Sequence, residues 1–256
     1  MRIELLGTGG FHPNERRETA CLVVPEIGLV LDAGTAVYRL PPRVLGQPLD
    51  LFLTHAHLDH ICGLPTLLLP LLRREIPACR VFAIDKVLQA VREHLFHDDV
   101  FPVMPSFEFC SLEPGRQYPL AASSGLRAEL SHLPLKSHPG GSRAYRVDWT
   151  IDGQSRSFAY VTDTVVDGTY TEFIRGVNLL IHECYFPDEM AEWGPKTGHS
   201  CTSQVALLAR EAQVGQLILT HIDPTRADDD PLGLSVAREI FPATQMAEDQ
   251  MVIDVL

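Results

Sequence analysis

The chain has 256 residues, 45% hydrophobic and 21% charged, enough to bury a sizeable core without a disulfide or metal to hold it together. Its formal charge of −12 argues against a broad electrostatic grip on nucleic acid or anionic membrane, while leaving room for a local basic patch. The six cysteines are scattered without a C-x-x-C pair, no run reaches the ~18 apolar residues of a membrane span, and MRIELLGTGG lacks the apolar centre of a signal peptide. A cytoplasmic protein with reduced thiols is expected.

Short apolar runs between turn signals predict strands at RIELLG, ACLVVP, GLVLDAG and LDLFLTH. VFAID followed by VLQAVREHLF reads as a strand and then a helix. From Ser106 to Tyr160 the pattern is mostly β, with FEFCSL, LRAELSHLP, SRAYRVDW and SRSFAYVTD. Beyond it come a helix-like piece near Thr169 to Ile174, a strand at NLLIHE, a helix, a strand at QLILTH, another helix and a last strand at MVIDVL. TSQVALLAREA is the best-defined helix. Thr202 or Ser203 can cap it, Val205, Leu208, Ala209 and Ala212 fall on one face, and Gly215 closes it. No linker or repeat interrupts the chain, so one α/β domain over residues 1–256, with two sheets and outer helices, is expected.

The chemistry gathers at LTHAHLDHICGLP. His55, His57, Asp59 and His60 stand within six residues in a chain with 11 histidines altogether. His55 and His57 are two apart on an extended strand ending and project to one side. Imidazole and carboxylate are the donors that zinc and similar divalent ions take. Four such groups suit two metals, His55 and His57 on one, Asp59 and His60 on the other. Further donors stand at strand ends: Asp163 after FAYVT, His221 in LILTHIDP and His138 before a glycine pair. Asp163 is the choice for a bridging carboxylate, because one shared anion offsets repulsion between ions ~3.5–4 Å apart.

HAHLDH resembles the H-x-H-x-D-H signature of the metallo-β-lactamase superfamily, and the rest is similar to its ribonuclease Z-like and phosphodiesterase branch. LLGTGG resembles that branch's Gly-rich start, and HPNERRETACLVV its P-x-K-x-x-R-N-like loop, with Arg16 and Arg17 in that turn. VLDAGT resembles the second strand with its D-x-G turn at Asp32 and Gly34. VTDT, HECYF, GHSCT and LTHIDP are similar, in order, to the bridging-aspartate, HEAT-like, histidine-containing HST and final metal-histidine motifs. The resemblance implies an αββα sandwich with the metals at one edge of the two sheets. It implies His55, His57, His138 and Asp163 on one ion, and Asp59, His60, Asp163 and His221 on the other. His132 is the rival of His138; the glycine pair and AYRV strand after His138 match the family pattern, and His132 is expected in a strand.

Two divalent ions, zinc first and manganese or iron as alternatives, would make hydroxide available near neutral pH and offset charge on a phosphoryl group. Asp59 would orient the nucleophile or take its proton. His199 would protonate the leaving alkoxide, held by Glu183, as the HEAT-like and HST-like pair of the resemblance implies. His182 is read as structural, Arg16 and Arg17 as a solvated charged turn with a grip on a substrate phosphate as the alternative, and His94 and His97 as a helix end with aromatic packing, a substrate wall being the alternative. Ribonuclease Z proper carries a long Gly/Pro/Lys-rich arm between the positions matching His138 and Asp163. Here that interval holds Arg143, Arg146 and Arg156 and no lysine. A small phosphodiester, such as a cyclic or short nucleotide, is therefore expected over extended nucleic acid. The competing readings are an armless ribonuclease Z-like tRNA 3′ endonuclease, an ester, thioester or lactam hydrolase, and a metal-holding sensor without turnover. No membrane partner is expected, and a homodimer is compatible with the sequence.

Overall fold

The structure is a computed structural model that describes residues 1–120, 126–151, 153–226 and 228–255. The chain forms two compact units, one chiefly Met1–Arg116 with Glu248–Asp254, the other chiefly Ser124–Ala247.

The first unit carries β1 (Arg2–Gly7), β2 (Cys21–Val24), β3 (Leu29–Leu31), β4 (Leu49–Phe52), β5 (Cys79–Ala83), β6 (Phe107–Ser111) and β14 (Met251–Asp254), in the sheet order β14-β1-β2-β3-β4-β5-β6. Pairing is antiparallel from β14 to β3 and parallel from β3 to β6. β2 and β4 are buried at every position, which is why they read as continuous apolar runs rather than alternating ones. Asp50 is the polar exception in β4, and Arg80 of β5 meets its carboxylate with two hydrogen bonds of 2.6 and 2.7 Å. Ile61 of α1 (Leu58–Ile61), Leu71 of α2 (Leu68–Leu72), and Val87 and Leu88 of α3 (Asp85–Ala90) pack with Val23, Val30, Leu51 and Val81 in this unit's core.

The second unit's sheet contains β7 (Tyr118–Leu120), β8 (Arg127–Leu135), β9 (Ser142–Ile151), β10 (Gln154–Val161), β11 (Leu179–Glu183), β12 (Gln216–Thr220) and β13 (Thr244–Met246), in the order β13-β12-β11-β10-β9-β8-β7. β8, β9 and β10 pair antiparallel, and β10 to β13 are parallel. Its helices are α4 (Thr171–Ile174), α5 (Gly194–Thr197), α6 (Thr202–Glu211) and α7 (Leu234–Ile240). Ile174, Val205, Leu208, Ala209 and Ala237 pack with Ala144, Val161, Leu180 and Leu217. Within each sheet taken by itself, the carboxyl ends of its parallel strands lie at one edge, the position where open α/β sheets build their sites. β9 runs against β10, so the β8–β9 connection that carries His138 reaches the same edge as the end of β10.

Three local expectations change. The helix expected over VLQAVREHLF passes from α3 into a π turn at Val91–Leu95. The cap of α6 is Cys201, whose side chain makes no capping bond. Thr202 Oγ1 instead donates to the Leu232 carbonyl, and Asp188 supplies the acceptor for the Ser203 N–H at 2.9 Å. The helix ends at Ala212 with Gln213 in the left-handed region (φ 54°), ahead of Gly215. Gly215 is needed for a close approach: a Cβ there would sit 2.6 Å from the Asn178 carbonyl oxygen. β7 and β13 were not anticipated, because three residues give no readable period. β9 ends at Ile151, which pairs with Gln154 at the start of β10, and among the described residues no arm stands between His138 and Asp163. All six cysteines are free thiols, and among the described residues no helix is long and apolar enough to cross a membrane.

Candidate metal centre

In the first unit, candidate donors stand where β3 and β4 end. Asp32, at the end of β3, adopts φ 60° and is fully buried. Its carboxylate accepts from Thr54 N (2.8 Å), Thr54 Oγ1 (3.0 Å) and His60 Nδ1 (2.8 Å). The last bond places the proton of His60 on Nδ1 and leaves the lone pair on Nε2, which faces Asp59 Oδ2 at 3.4 Å. The Thr54 hydroxyl has one hydrogen, used toward Asp32, so it accepts from His55 Nδ1 at 3.0 Å. His55 thereby also presents Nε2 as a base. Its ring centroid lies 4.5 Å from that of His57 and 4.3 Å from that of His60. Asp59 Oδ2 accepts the Phe11 N–H at 2.8 Å, so the Gly-rich loop after β1 aims this carboxylate. Gly34 and Gly63 make the turn possible: a Cβ on Gly34 would lie 2.2 Å from the Asp59 carbonyl oxygen, and one on Gly63 2.1 Å from that of Gly34.

In the second unit, Asp163 follows β10 at φ 50° and His221 follows β12 at φ 59°, left-handed conformations that residues bearing a Cβ seldom adopt. Such backbone is held by its surroundings and gathers at functional sites. The two oxygens of Asp163 face different histidines: Oδ2 lies 3.5 Å from His138 Nε2, and Oδ1 lies 3.4 Å from His221 Nε2. His138 Nδ1 donates to the Gly198 carbonyl at 3.2 Å, which keeps its Nε2 as the lone-pair nitrogen. Gly198 has to be glycine here, since a Cβ would fall 2.7 Å from His138 Cα. Ser142, at the start of β9, holds the Asp163 backbone with a 2.7 Å bond to its carbonyl.

The donor atoms fit a divalent ion. Two ligands at ~2.1 Å from a tetrahedral ion are about 3.4 Å apart, longer than a good N–H···O bond. The Asp59–His60, His138–Asp163 and His221–Asp163 separations of 3.4, 3.5 and 3.4 Å match that edge.

His199 sits beside this group. Its Nδ1 donates to Glu183 Oε1 at 3.1 Å, and one ligand atom each of Asp163, His199 and His221 lie within 4.8 Å of one another. Glu183 ends β11 fully buried and also accepts from Thr164 N (2.8 Å) and Ser200 N (3.2 Å), so it ties the end of β10 to the loop that carries His199. Tyr185 stacks on His199 with centroids 4.8 Å apart, a contact that the HECYF motif contains but its reading missed.

Several other residues have plain structural places. His182 is buried between the Tyr170 hydroxyl (2.8 Å) and the Glu183 carbonyl (2.6 Å), and burial lowers its pKa. His132 lies in β8 and accepts from Arg143 Nε. Arg16 is exposed and pairs with Glu248 at 2.9 Å. Arg17 departs from the expected solvated turn: it is only 3% exposed, with Nη1 donating to Thr8 Oγ1 at 2.6 Å, and burial lowers its pKa. His94 and His97 are exposed at the end of the π turn and just beyond it.

Residues 29–222 match the family model of the beta-lactamase superfamily domain. The chain belongs to the beta-lactamase superfamily. This superfamily member is 31% identical to a protein named Ribonuclease Z from Synechococcus sp. (strain CC9605), over all of this chain and 98% of that one. Its structure is similar to the metallo-beta-lactamase fold protein YhfI from Bacillus subtilis (TM-score 0.79, 20% identity, 99% of both chains). It is also similar to human tRNase Z, short form (TM-score 0.71, 20% identity, all of both chains). The expected fold class is thus the observed one, with two mixed sheets flanked by helices, and the class of activity is metal-dependent hydrolysis. The alignment with the Synechococcus protein runs over 318 positions against 256 residues here, a difference of 62.

Proposed function

We propose that this superfamily member is a two-metal phosphodiesterase for small phosphodiesters, a cyclic or short nucleotide, and that residues 1–256 act as one functional domain in the cytoplasm. His55, His57, His138 and Asp163 would hold one ion, and Asp59, His60, Asp163 and His221 the other, zinc being the first choice for such donors. The split of the Asp163 oxygens between His138 and His221 supports the bridging role. When bound, the ions lower the pKa of a water and offset negative charge at phosphorus.

The chain's own residues complete the reaction. Asp59, oriented by the Phe11 N–H, aligns the nucleophile or accepts its proton. His199 delivers a proton to the leaving oxygen from Nε2, while Glu183 holds Nδ1 and fixes the ring. This pair is the observation that carries the reading: an alkoxide leaves a phosphodiester with difficulty unless it is protonated, and the pair stands beside Asp163 and His221. The pairing of Ile151 with Gln154, which joins β9 closely to β10, supports a small substrate over a large RNA.

The second reading, an armless tRNA 3′ endonuclease, is favoured by the name of the Synechococcus relative. A panel of bis-p-nitrophenyl phosphate, a cyclic nucleotide, a precursor tRNA with a 3′ trailer, a thioester and a lactam separates the two. Turnover of the small phosphodiesters with slow or no tRNA cleavage is expected. Efficient tRNA cleavage without small-substrate turnover reverses the order, and preference for the thioester or lactam removes the phosphodiesterase reading.

A further inference from the structure

Ten of the eleven phenylalanines are buried or half-buried, and Phe11 stands apart at 68% exposed. Its backbone is also unusual: φ is 61°, a left-handed conformation that a bulky side chain adopts only under strain. Glycine at this position would relieve the strain and take an apolar ring out of water. Such strain gathers at functional sites. The Phe11 N–H is the group that orients Asp59, at 2.8 Å from Oδ2. That bond accounts for the backbone and leaves the exposed ring unexplained.

The loop beneath the ring is braced from both ends. Asp249 accepts from the Thr8 N–H at 3.0 Å, the Thr8 hydroxyl at 2.8 Å and the Glu18 N–H at 2.8 Å. Gly9 N donates to the Glu18 carbonyl at 2.9 Å, Asn14 N donates to that of Arg17 at 2.9 Å, and the buried Arg17 closes on Thr8. The His12 ring leans on that of Phe11, with centroids 5.1 Å and planes 60° apart. A ring carried by so fixed a loop loses little freedom when a flat partner lies on it. The ring is joined through Cα and Cβ to the nitrogen that touches Asp59, so in every rotamer it stays within one side chain's length of that carboxylate. A pentose spans a similar length between the phosphate and the base of a nucleotide. Leu58, the residue before Asp59, is also exposed, so a second apolar side chain borders the same carboxylate.

We infer that Phe11 is a stacking platform for a nucleobase and selects nucleotide esters over phosphodiesters without a base; this rests on the phosphodiesterase reading above. Every base has a π face, so the platform demands a base without choosing which one.

The test uses the full chain with its metals and two p-nitrophenyl esters, one of thymidine 5′-phosphate and one of the matching deoxyribose 5′-phosphate that lacks the base. Wild type should show a KM about tenfold lower for the thymidine ester, as expected for one stacked base. Phe11→Leu should remove most of that preference and Phe11→Tyr should keep it. The ratio of the two KM values isolates the ring, because any fault in the bond to Asp59 falls on both esters alike. Phe11→Gly, which suits the same φ, is measured in parallel and stands in if the leucine variant does not fold. No preference in wild type, a preference that survives in the leucine and glycine variants, or one lost in the tyrosine variant as well overturns the platform. If wild type cleaves neither ester, the phosphodiesterase reading has failed, and calorimetric titration with thymidine 5′-phosphate and with the baseless sugar phosphate decides the platform alone. Tighter binding of the nucleotide in wild type and Phe11→Tyr, lost in Phe11→Leu and Phe11→Gly, supports it, and the same relative affinity in all of them overturns it.

Discussion

Asp32→Asn isolates the support beneath one metal ligand. The buried carboxylate takes Thr54 N and Oγ1 on one side and His60 Nδ1 on the other. An asparagine has the same shape but one acceptor oxygen. If that oxygen stays with Thr54, the amide NH2 faces His60, whose proton must then move to Nε2, the nitrogen that faces Asp59. If the amide is reversed, a buried Thr54 N–H meets an NH2, at a cost of about 1–3 kcal/mol. Loss of such a carboxylate behind a ligating histidine weakens metal affinity roughly 10–100-fold, or about 1.4–2.8 kcal/mol. Either cost is smaller than a typical folding stability of about 5–15 kcal/mol, so the variant should fold. Asp32→Ala strands all three donors and should lose roughly 3–9 kcal/mol. Competition with a chromogenic chelator measures affinity, and thermal unfolding in excess chelator measures the fold separately. If Asp32→Asn holds its metals within about threefold of wild type, the tautomer argument is wrong.

His199→Ala should keep its metal content and fold, and lose on the order of 10²-fold or more in rate with poor leaving groups but less with p-nitrophenyl esters. An equal loss for both would mean that His199 positions the substrate, and loss of metal that it is a ligand. Metal analysis of His138→Ala should show one ion fewer while His132→Ala keeps its full content; the opposite order would reverse that assignment. Burial pushes all six thiols up, that of Cys201 to about 11, so access decides which of them react. A disulfide-exchange reagent should titrate only the half-buried Cys62 and Cys110 in the native protein and all six after unfolding, because the other four are buried; fast reaction at a third native thiol would contradict this.

The sequence was most readable where one physical signal dominated. Apolar runs such as ACLVV and LDLFLT mark strands because both faces are buried, and HAHLDH concentrates metal donors at the end of one of them. What lay hidden depends on contacts between distant segments. Asp32 stood out as part of a D-x-G turn, yet its grip on His60, 28 residues away, is a tertiary fact. The same holds for the Phe11 N–H on Asp59 and the Gly198 carbonyl on His138. Arg17 looked like a charged turn because no local pattern announces that Thr8 and Glu248 will enclose it. The cap of α6 was misplaced for a similar reason, since Asp188 reaches in from a separate turn.

The central claim is that one carboxylate, Asp163, joins two metal ions in a single hydrolytic centre. Metal content and turnover of Asp163→Ala, measured beside wild type on the same small phosphodiester, test it most directly. Wild type should hold two ions per chain. The variant has lost both oxygens that face His138 and His221, so repulsion between the ions is no longer offset, and it should lose metal and activity together. A variant that retains two ions per chain and turns over at close to the wild-type rate would contradict the account.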